Sequence, residues 1–332
     1  MTTLADTSVH LVRERQQPRP LVWSGLSAGL AWAAVAISAV AWPDVSDWLE
    51  TRRFALGAAI FAAGFISLTL AGRWLARAGD WIREAGPWAT ASGIALTLWQ
   101  LASAKFGWLP LPFFPPPQAL LEVYTEDYAT LGASVFASMK LLVTGFVVGA
   151  VLGFLTGVAI GWSRQAGYWV HPVLRFIGPL PATAWLPIAF FAFPSSWSAS
   201  IFLIALATGF PVTVLTWSGI ASVNSRYYDV ARTLGAKPGF LILRVAIPAA
   251  LPHVFVGLFM ALGSAFSVLM VAELVGVKAG IGFYMQWAQG WASYANVYAA
   301  LVVLALLCSG SITLLFRLRD RVLSWQKGLV QW

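Results

Sequence analysis

The stretch from Leu21 to Trp42 contains no charged side chain, and a helix of about twenty apolar residues is what crosses a hydrocarbon core of ~30 Å. Trp23 and Trp42 stand near its ends, where interfacial aromatics are enriched. Similar stretches recur at about 54–72, 88–104, 134–162, 171–193, 199–220, 254–277 and 294–316. Backbone polar groups inside hydrocarbon have to be satisfied within the segment, which favours helices over open sheets. The expected fold is therefore an all-α integral membrane protein, a polytopic helical bundle with about eight transmembrane helices. Composition agrees: 59% of the 332 residues are hydrophobic and 10% are charged, against about 25% charged in soluble domains. Ala39-Val40-Ala41 could be read as a signal-peptidase site, but the apolar run exceeds a signal core in length, so the first span is expected to be retained.

Charge placement orients the chain. With the amino terminus inside, eight crossings put both termini and the 221–253 loop in the cytoplasm. Sixteen of the 21 Lys and Arg then fall inside, from Arg13 to Lys327, while Arg52, Arg53, Lys105 and Lys278 fall outside and Lys140 lies within a span. That asymmetry is the positive-inside bias. The net charge of +8 is scattered over short loops and forms no continuous patch, so no nucleic-acid partner is expected. His10, His171 and His253 lie far apart without companion ligands, and Cys308 is the only cysteine. Neither a metal site nor an intrachain disulfide is expected.

One segment between spans carries a dense pattern of its own. Asn224 or Ser225 can cap a short helix, Asp229 suits its positive end, and Arg226 and Arg232 flank Asp229 on the same face. Gly235 ends that helix and Pro238 suits the first turn of a second, expected to run to about Ile247 and to be closed by Pro248 and Pro252. Asp229, Val230, Ala231, then Gly235, then Val245, Ile247 and Pro248 are in register with the "EAA" loop signature, with Asp for Glu and Val for the first Ala. The segment thus resembles the cytoplasmic coupling loop of binding-protein-dependent ABC importer permeases. A-R-T-L-G-A followed by I-P-A-A-L-P is most similar to the branch importing nitrate, sulfonates, taurine and related small compounds.

The resemblance covers about Trp88 to Trp325. It implies a tail at 1–20, a two-span extension at 21–87, a permease core at 88–325 and a C-terminal tail at 326–332. It further implies an inner-membrane, multi-pass location, cytoplasmic ATPase subunits docking on the 224–253 loop, a periplasmic or extracellular substrate-binding protein, and a second permease subunit, expected to be another copy of this chain. Asp229, Ala231, Arg232, Gly235, Ala236, Lys237, Pro238, Arg244 and Pro248 would carry the coupling. No phosphate-binding G-x-x-x-x-G-K-[ST] loop and no catalytic constellation is present, so the chain is expected to be no enzyme, to bind no cofactor and to leave ATP hydrolysis to another subunit.

Other patterns remain open at this level. Gly145, Gly149, Gly153, Gly157 and Gly161 recur every fourth residue and form a groove that lets another helix approach, in the same subunit or a partner. Pro179, Pro181 and Pro187 break the fifth span and Pro211 the sixth, either lining a pathway or making static kinks. With Pro181, Trp185 and Pro187, the candidate pathway residues are Lys140, Glu273, Gly280 and Gly282; Gly280-Ile281-Gly282 resembles the family's G-L-G segment. Lys140 could attract an anion, pair with Glu273 or snorkel to the outer interface. Most of the 18 tryptophans fall near span ends, as lipid-interface anchors would. An ion-coupled secondary transporter is the alternative function; a membrane-embedded enzyme would need a polar cluster across spans that the sequence lacks.

Overall fold

The computed structural model describes residues 21–71 and 76–326, which are mostly helical with no strand among them. The tail expected at 1–20, the tail expected at 326–332 apart from its first residue, and Arg73 lie outside the described residues. The chain divides into two compact units, 1–125 and 126–332. Among the described residues six helices are long and apolar enough to cross a membrane, and one bent pair would make a seventh. The third expected crossing, near 88–104, is the one left over; it lies in a helix whose first turns carry Asp80, Arg83 and Glu84, and those charges dilute its apolar character.

In the first unit, α1 (Leu21–Ala41) packs on both α2 (Thr51–Ala71) and α3 (Ala76–Gln100). The third span, grouped by sequence with the permease core, therefore packs with the first two. Small residues make the approach close: a Cβ on Gly29 would stand 2.6 Å from Ile66, and one on Gly93 2.9 Å from Ala31. The Trp32 indole donates to the Ala89 carbonyl at 3.0 Å. Beyond α3, a π-helical turn (Leu101–Lys105) buries Lys105. Its ammonium donates to the carbonyls of Ala39 and Trp42 and pairs with Asp44 at 2.8 Å. A cation expected in an outer loop instead satisfies carbonyls at the end of α1, where the helix dipole also favours it. After Pro115 and Pro116 a short helix follows, α4 (Pro117–Glu126), with its first turn and Val123 buried.

The second unit is built on α5 (Tyr128–Trp162) and α8 (Ser196–Ala221). The five glycines of α5 meet a matching four-residue series on α8. Gly145 faces Ile204, Gly149 faces Ala205 and Thr208, Gly153 faces Gly209 and Val212, Gly157 faces Thr213 and Thr216, and Gly161 faces Ile220. Added Cβ atoms would sit at 2.6–2.9 Å from these neighbours at Gly145, Gly153, Gly157 and Gly161, too close for any real side chain. Numbers rise together along both helices, so the two run parallel. The neighbour left open by the sequence is thus α8 of the same chain.

Between them in sequence, α6 (Arg164–Ile177) and a 3-10 turn (Ala182–Trp185) leading into α7 (Leu186–Ala192) form a pair bent by 89°. Gly178 to Pro181 make the bend. Pro211, by contrast, lies inside an unbroken α8, so the break expected there is absent; neighbouring helices can accommodate an interior proline in such a span. On its other side α8 packs against α11 (Ile247–Val275), where Gly257 lies over Pro211 and Val212, and Gly219 over Ala250 and His253. Leu141, Leu203, Ile204, Leu262, Ala265 and Leu269 join the three helices in one core. Finally, α12 (Ile281–Gly290) and α13 (Tyr294–Val322) close the unit.

The glycine seam yields a direct test. Gly153→Leu forces side-chain volume into a backbone contact, and overpacking costs about 1–3 kcal/mol or more. Gly132→Leu, on the same helix with open space around it, should be tolerated. Melting of the two detergent-purified variants checks this, the expected result being a clear loss of thermal stability for Gly153→Leu alone.

Candidate functional site

The loop between α8 and α11 is a helix–bend–helix. Asn224 caps α9 (Ser225–Thr233), its side chain accepting from the Arg226 amide at 3.0 Å. Gly235 has φ +80°; its amide donates to the Arg232 carbonyl at 2.9 Å, and the Ala236 amide donates to that of Ala231 at 3.0 Å. Those two bonds are the Schellman closure, and the positive φ is why a glycine stands at this position. Arg232 reaches Asp229 at 3.5 Å with both side chains well exposed, so the pair adds little stability.

Past the bend the expected second helix does not end. From Lys237 the chain enters α10 (Pro238–Phe240), continues through a π-helical stretch (Leu241–Ala246, which holds Arg244) and passes directly into α11. Pro248 sits in the first turn of α11 and Pro252 lies inside it. The expected closure by these prolines is therefore replaced by a continuous helical path, Pro238–Val275. Proline lacks an N–H and crowds the carbonyl four residues earlier, and a wider turn just upstream relieves that crowding. The base of the loop is anchored: Ile220, Ala246 and Ala250 are buried, with Val158, Trp162 and Tyr228 against them. Tyr228 meets Trp162 edge-on at 5.9 Å, and burial raises the pKa of its phenol above the ordinary value. The tip is the opposite. Leu234 is 83% exposed, Leu243, Val230, Tyr227 and Phe240 are also exposed, and a cleft of about 710 Å³ runs from Ala231 past Leu234 and Lys237 to Phe240.

A second constellation lies at the other end of α11. Glu273 is 1% exposed. Its carboxyl group accepts from the Ser138 hydroxyl of α5 at 2.7 Å and from the Gly282 amide at 2.8 Å, while Ser138 Oγ accepts from the Ile281 amide at 2.8 Å. Glu273 and Ser138 thus cap α12 from two other helices, satisfying donors that its own chain cannot. Gly280, at φ +105°, has no room for a Cβ against the Glu273 carboxyl group, and one on Gly282 would stand 2.8 Å from the Glu273 Cβ. Nearby, Tyr284 donates to Asp127 at 2.6 Å and Asn296 Nδ2 donates to Asp127 at 3.2 Å, tying α12 and α13 to the start of α5.

The chain matches the model of the "Binding-protein-dependent transport system inner membrane component" over residues 149–325. The chain belongs to this family. A Brucella abortus protein named as a probable ABC transporter permease is 32% identical over 243 residues, spanning 71% of this chain and 97% of the relative. The bicarbonate transport system permease protein CmpB of Synechococcus elongatus is 32% identical over 191 residues, 57% of this chain and 66% of the relative. Among solved structures, a chain of the inward-facing MetNI methionine ABC transporter aligns with TM-score 0.50 and 16% identity, covering 59% of this chain and 98% of that one; this likeness concerns the fold. The protein is an ABC importer permease of the inner membrane, a transport component and not an enzyme.

In the permease the candidate pathway residues separate. Lys140 is exposed and stands 5.4 Å from the Trp197 ring centroid, engaged with an aromatic face and not with Glu273. Pro181 borders the bend, Pro187 opens α7, and Trp185 packs against the core of α5, α8 and α11. Gly280, Gly282 and Glu273 come together as one cap. Sequence reasoning missed Ser138, which is one small hydroxyl in a long apolar span, and it missed the Asp127, Tyr284 and Asn296 cluster, whose members are far apart along the chain.

Glu273→Ala leaves buried donors unpaired, at about 1–3 kcal/mol each; Glu273→Gln keeps an acceptor and should cost less. Hydrogen exchange at the Ile281 and Gly282 amides reads this locally: faster exchange in Glu273→Ala and Ser138→Ala is expected, with Gly280→Ala also losing thermal stability.

Proposed function

We propose that this permease imports a small oxyanion, of the nitrate, bicarbonate, sulfonate or taurine class, and is driven by a separate cytoplasmic ATPase that docks on the 224–253 loop. The bicarbonate permease among its relatives and the coupling-loop wording support the substrate class. An external binding protein delivers the substrate, and a second copy of the chain completes the pathway.

The observation that carries the coupling role is the helical continuity from Pro238 to Val275, 38 residues. At 1.5 Å per residue the path is ~57 Å long, nearly twice a hydrocarbon core of ~30 Å. Its first turns therefore project beyond the membrane as part of the loop. Leu234 and Phe240 give the tip an apolar surface for a partner groove, with Lys237 beside them. Displacement of the tip is passed to α11 without an intervening hinge of loop, then through Gly257 and Gly219 to α8, and through the glycine seam to α5. ATPase closure would in this way move the packed helices as a body, which is the physical content of alternating access here. Both termini and the loop share the cytoplasmic side in this reading, as the Lys and Arg distribution requires.

Gly235→Trp adds bulk where the space is open and strains the left-handed bend locally; the strain falls on an exposed loop apart from the packed spans, so the protein should still insert and accumulate. Copurification of the ATPase and substrate uptake should both fall by about tenfold or more; unchanged coupled uptake would count against the docking role. Sidedness is tested separately with Lys237→Cys in a Cys308→Ser background. An impermeant maleimide should label it in inverted membrane vesicles and not in intact cells, and the opposite pattern would reverse the orientation.

A further inference from the structure

Between α6 and the second half of α8 lies a cleft of about 720 Å³, lined among others by Tyr168, His171, Arg175, Phe210, Val214 and Trp217. Neither the loop between α8 and α11 nor the cap around Glu273 contributes to it. From Phe210 to the end of α8 at Ala221 is eleven residues, ~16 Å along the helix, so the cleft opens at the same end of the unit as the coupling loop. Gly178 leaves no room for a Cβ against the Phe210 ring, so the bend after α6 brings the two walls together.

The chemistry of the lining is one-sided. Arg175 has no carboxylate within ion-pair distance among the described residues, and none of the residues lining the cleft is acidic. His171 stands one helical turn before Arg175 on the same face. Its ring lies 4.4 Å from the Trp217 ring and at 62° to it, which holds the imidazole in one orientation. A guanidinium presents paired donors that match the oxygens of a sulfonate, carboxylate or phosphate head. The rest of the wall is apolar and aromatic, from Leu174 and Val214 to Phe210 and Trp217. Its volume falls in the range of sites for organic ligands, about 300–1,000 Å³, far more than a bare inorganic oxyanion fills.

We infer that this cleft is an inward-side station for the transported anion, with Arg175 as counter-charge and His171 as second polar contact, and that it favours an organic oxyanion with an apolar substituent. The inference rests on the importer reading and narrows its substrate class. An oxyanion head could also come from a phospholipid, and the experiment separates the two sources.

Full-length protein is placed in nanodiscs of zwitterionic lipid, and binding of benzenesulfonate and of nitrate is measured by equilibrium dialysis. Wild type should bind benzenesulfonate more tightly than nitrate. Arg175→Gln should weaken benzenesulfonate about tenfold or more, as expected for loss of a charge-assisted hydrogen bond, and Arg175→Lys should weaken it less. Arg164→Gln, on the same helix and outside the cleft, should bind as wild type. Matching melting curves for Arg175→Gln and wild type exclude a folding defect; if they differ, Arg175→Lys and Trp217→Leu carry the comparison. Equal benzenesulfonate binding by wild type and the cleft variants overturns the proposal. So does absence of sulfonate binding together with Arg175-dependent retention of anionic lipid, measured by mass spectrometry of the detergent-purified protein. ATPase copurification is read from the same preparations: its absence sinks the importer reading on its own, and its presence leaves that reading standing whichever way the anion binding falls.

Discussion

The second unit depends on backbone-to-backbone contact between α5 and α8. In lipid there is no hydrophobic driving force between helices, so dispersion at close range and the few available polar contacts have to hold them together. Glycine at every fourth position lets α8 approach until Ile204, Val212, Thr216 and Ile220 fill the groove of α5. Once that pair is set, α11 finds its seat on the opposite side of α8 through Gly219 and Gly257. The same three helices form one core around Leu203 and Leu269. Removing the seam would leave α8 without one wall and the coupling loop without a rigid base.

The two ends of α11 show how one helix serves two tasks. Its first turns follow directly on the loop through a π-helical stretch and carry the proposed contact with the ATPase. Its last turn holds Glu273, a buried carboxyl group that would be costly in hydrocarbon without partners and that is matched here to the Gly282 amide of α12 and the Ser138 hydroxyl. An ion-coupled transporter would need titratable groups within the membrane to carry charge, and Glu273 is an ionisable residue set among the spans. Its hydrogen bonds instead make it part of the frame that fixes α12 against α5 and α11. A rigid element tied down at the Glu273 end and continuous with an exposed loop at the other is suited to transmitting a displacement.

Much of the local geometry of the loop between α8 and α11 was legible in the chain itself, because its signals are local. Asn224 as cap, Gly235 as left-handed terminator and Pro238 as first-turn residue each act on neighbours a few positions away, and each is found where the spacing puts it. Where local rules failed, tertiary context had overridden them. Pro248 and Pro252 read as helix stops, yet packing of Ala246 and Ala250 against Ile220 and the wider turn upstream carry the helix through. Lys105 read as a loop cation, yet the carbonyls of Ala39 and Trp42 and the Asp44 carboxylate give it a buried role.

The sequence by itself determined the solvent in which the fold exists, the helical class, the helix–bend–helix form of the segment after α8 and the presence of a small-residue groove, since each depends on composition or on spacing within a short stretch. Only the tertiary structure decided which helix fills that groove, that Glu273 caps α12 with Ser138, that Lys140 stands over Trp197 and apart from Glu273, and that Arg175 and His171 share a cleft with Phe210 and Trp217. Those outcomes join residues tens to more than a hundred positions apart. No periodicity within a single span carries information about which distant partner will satisfy a buried donor or fill a given space.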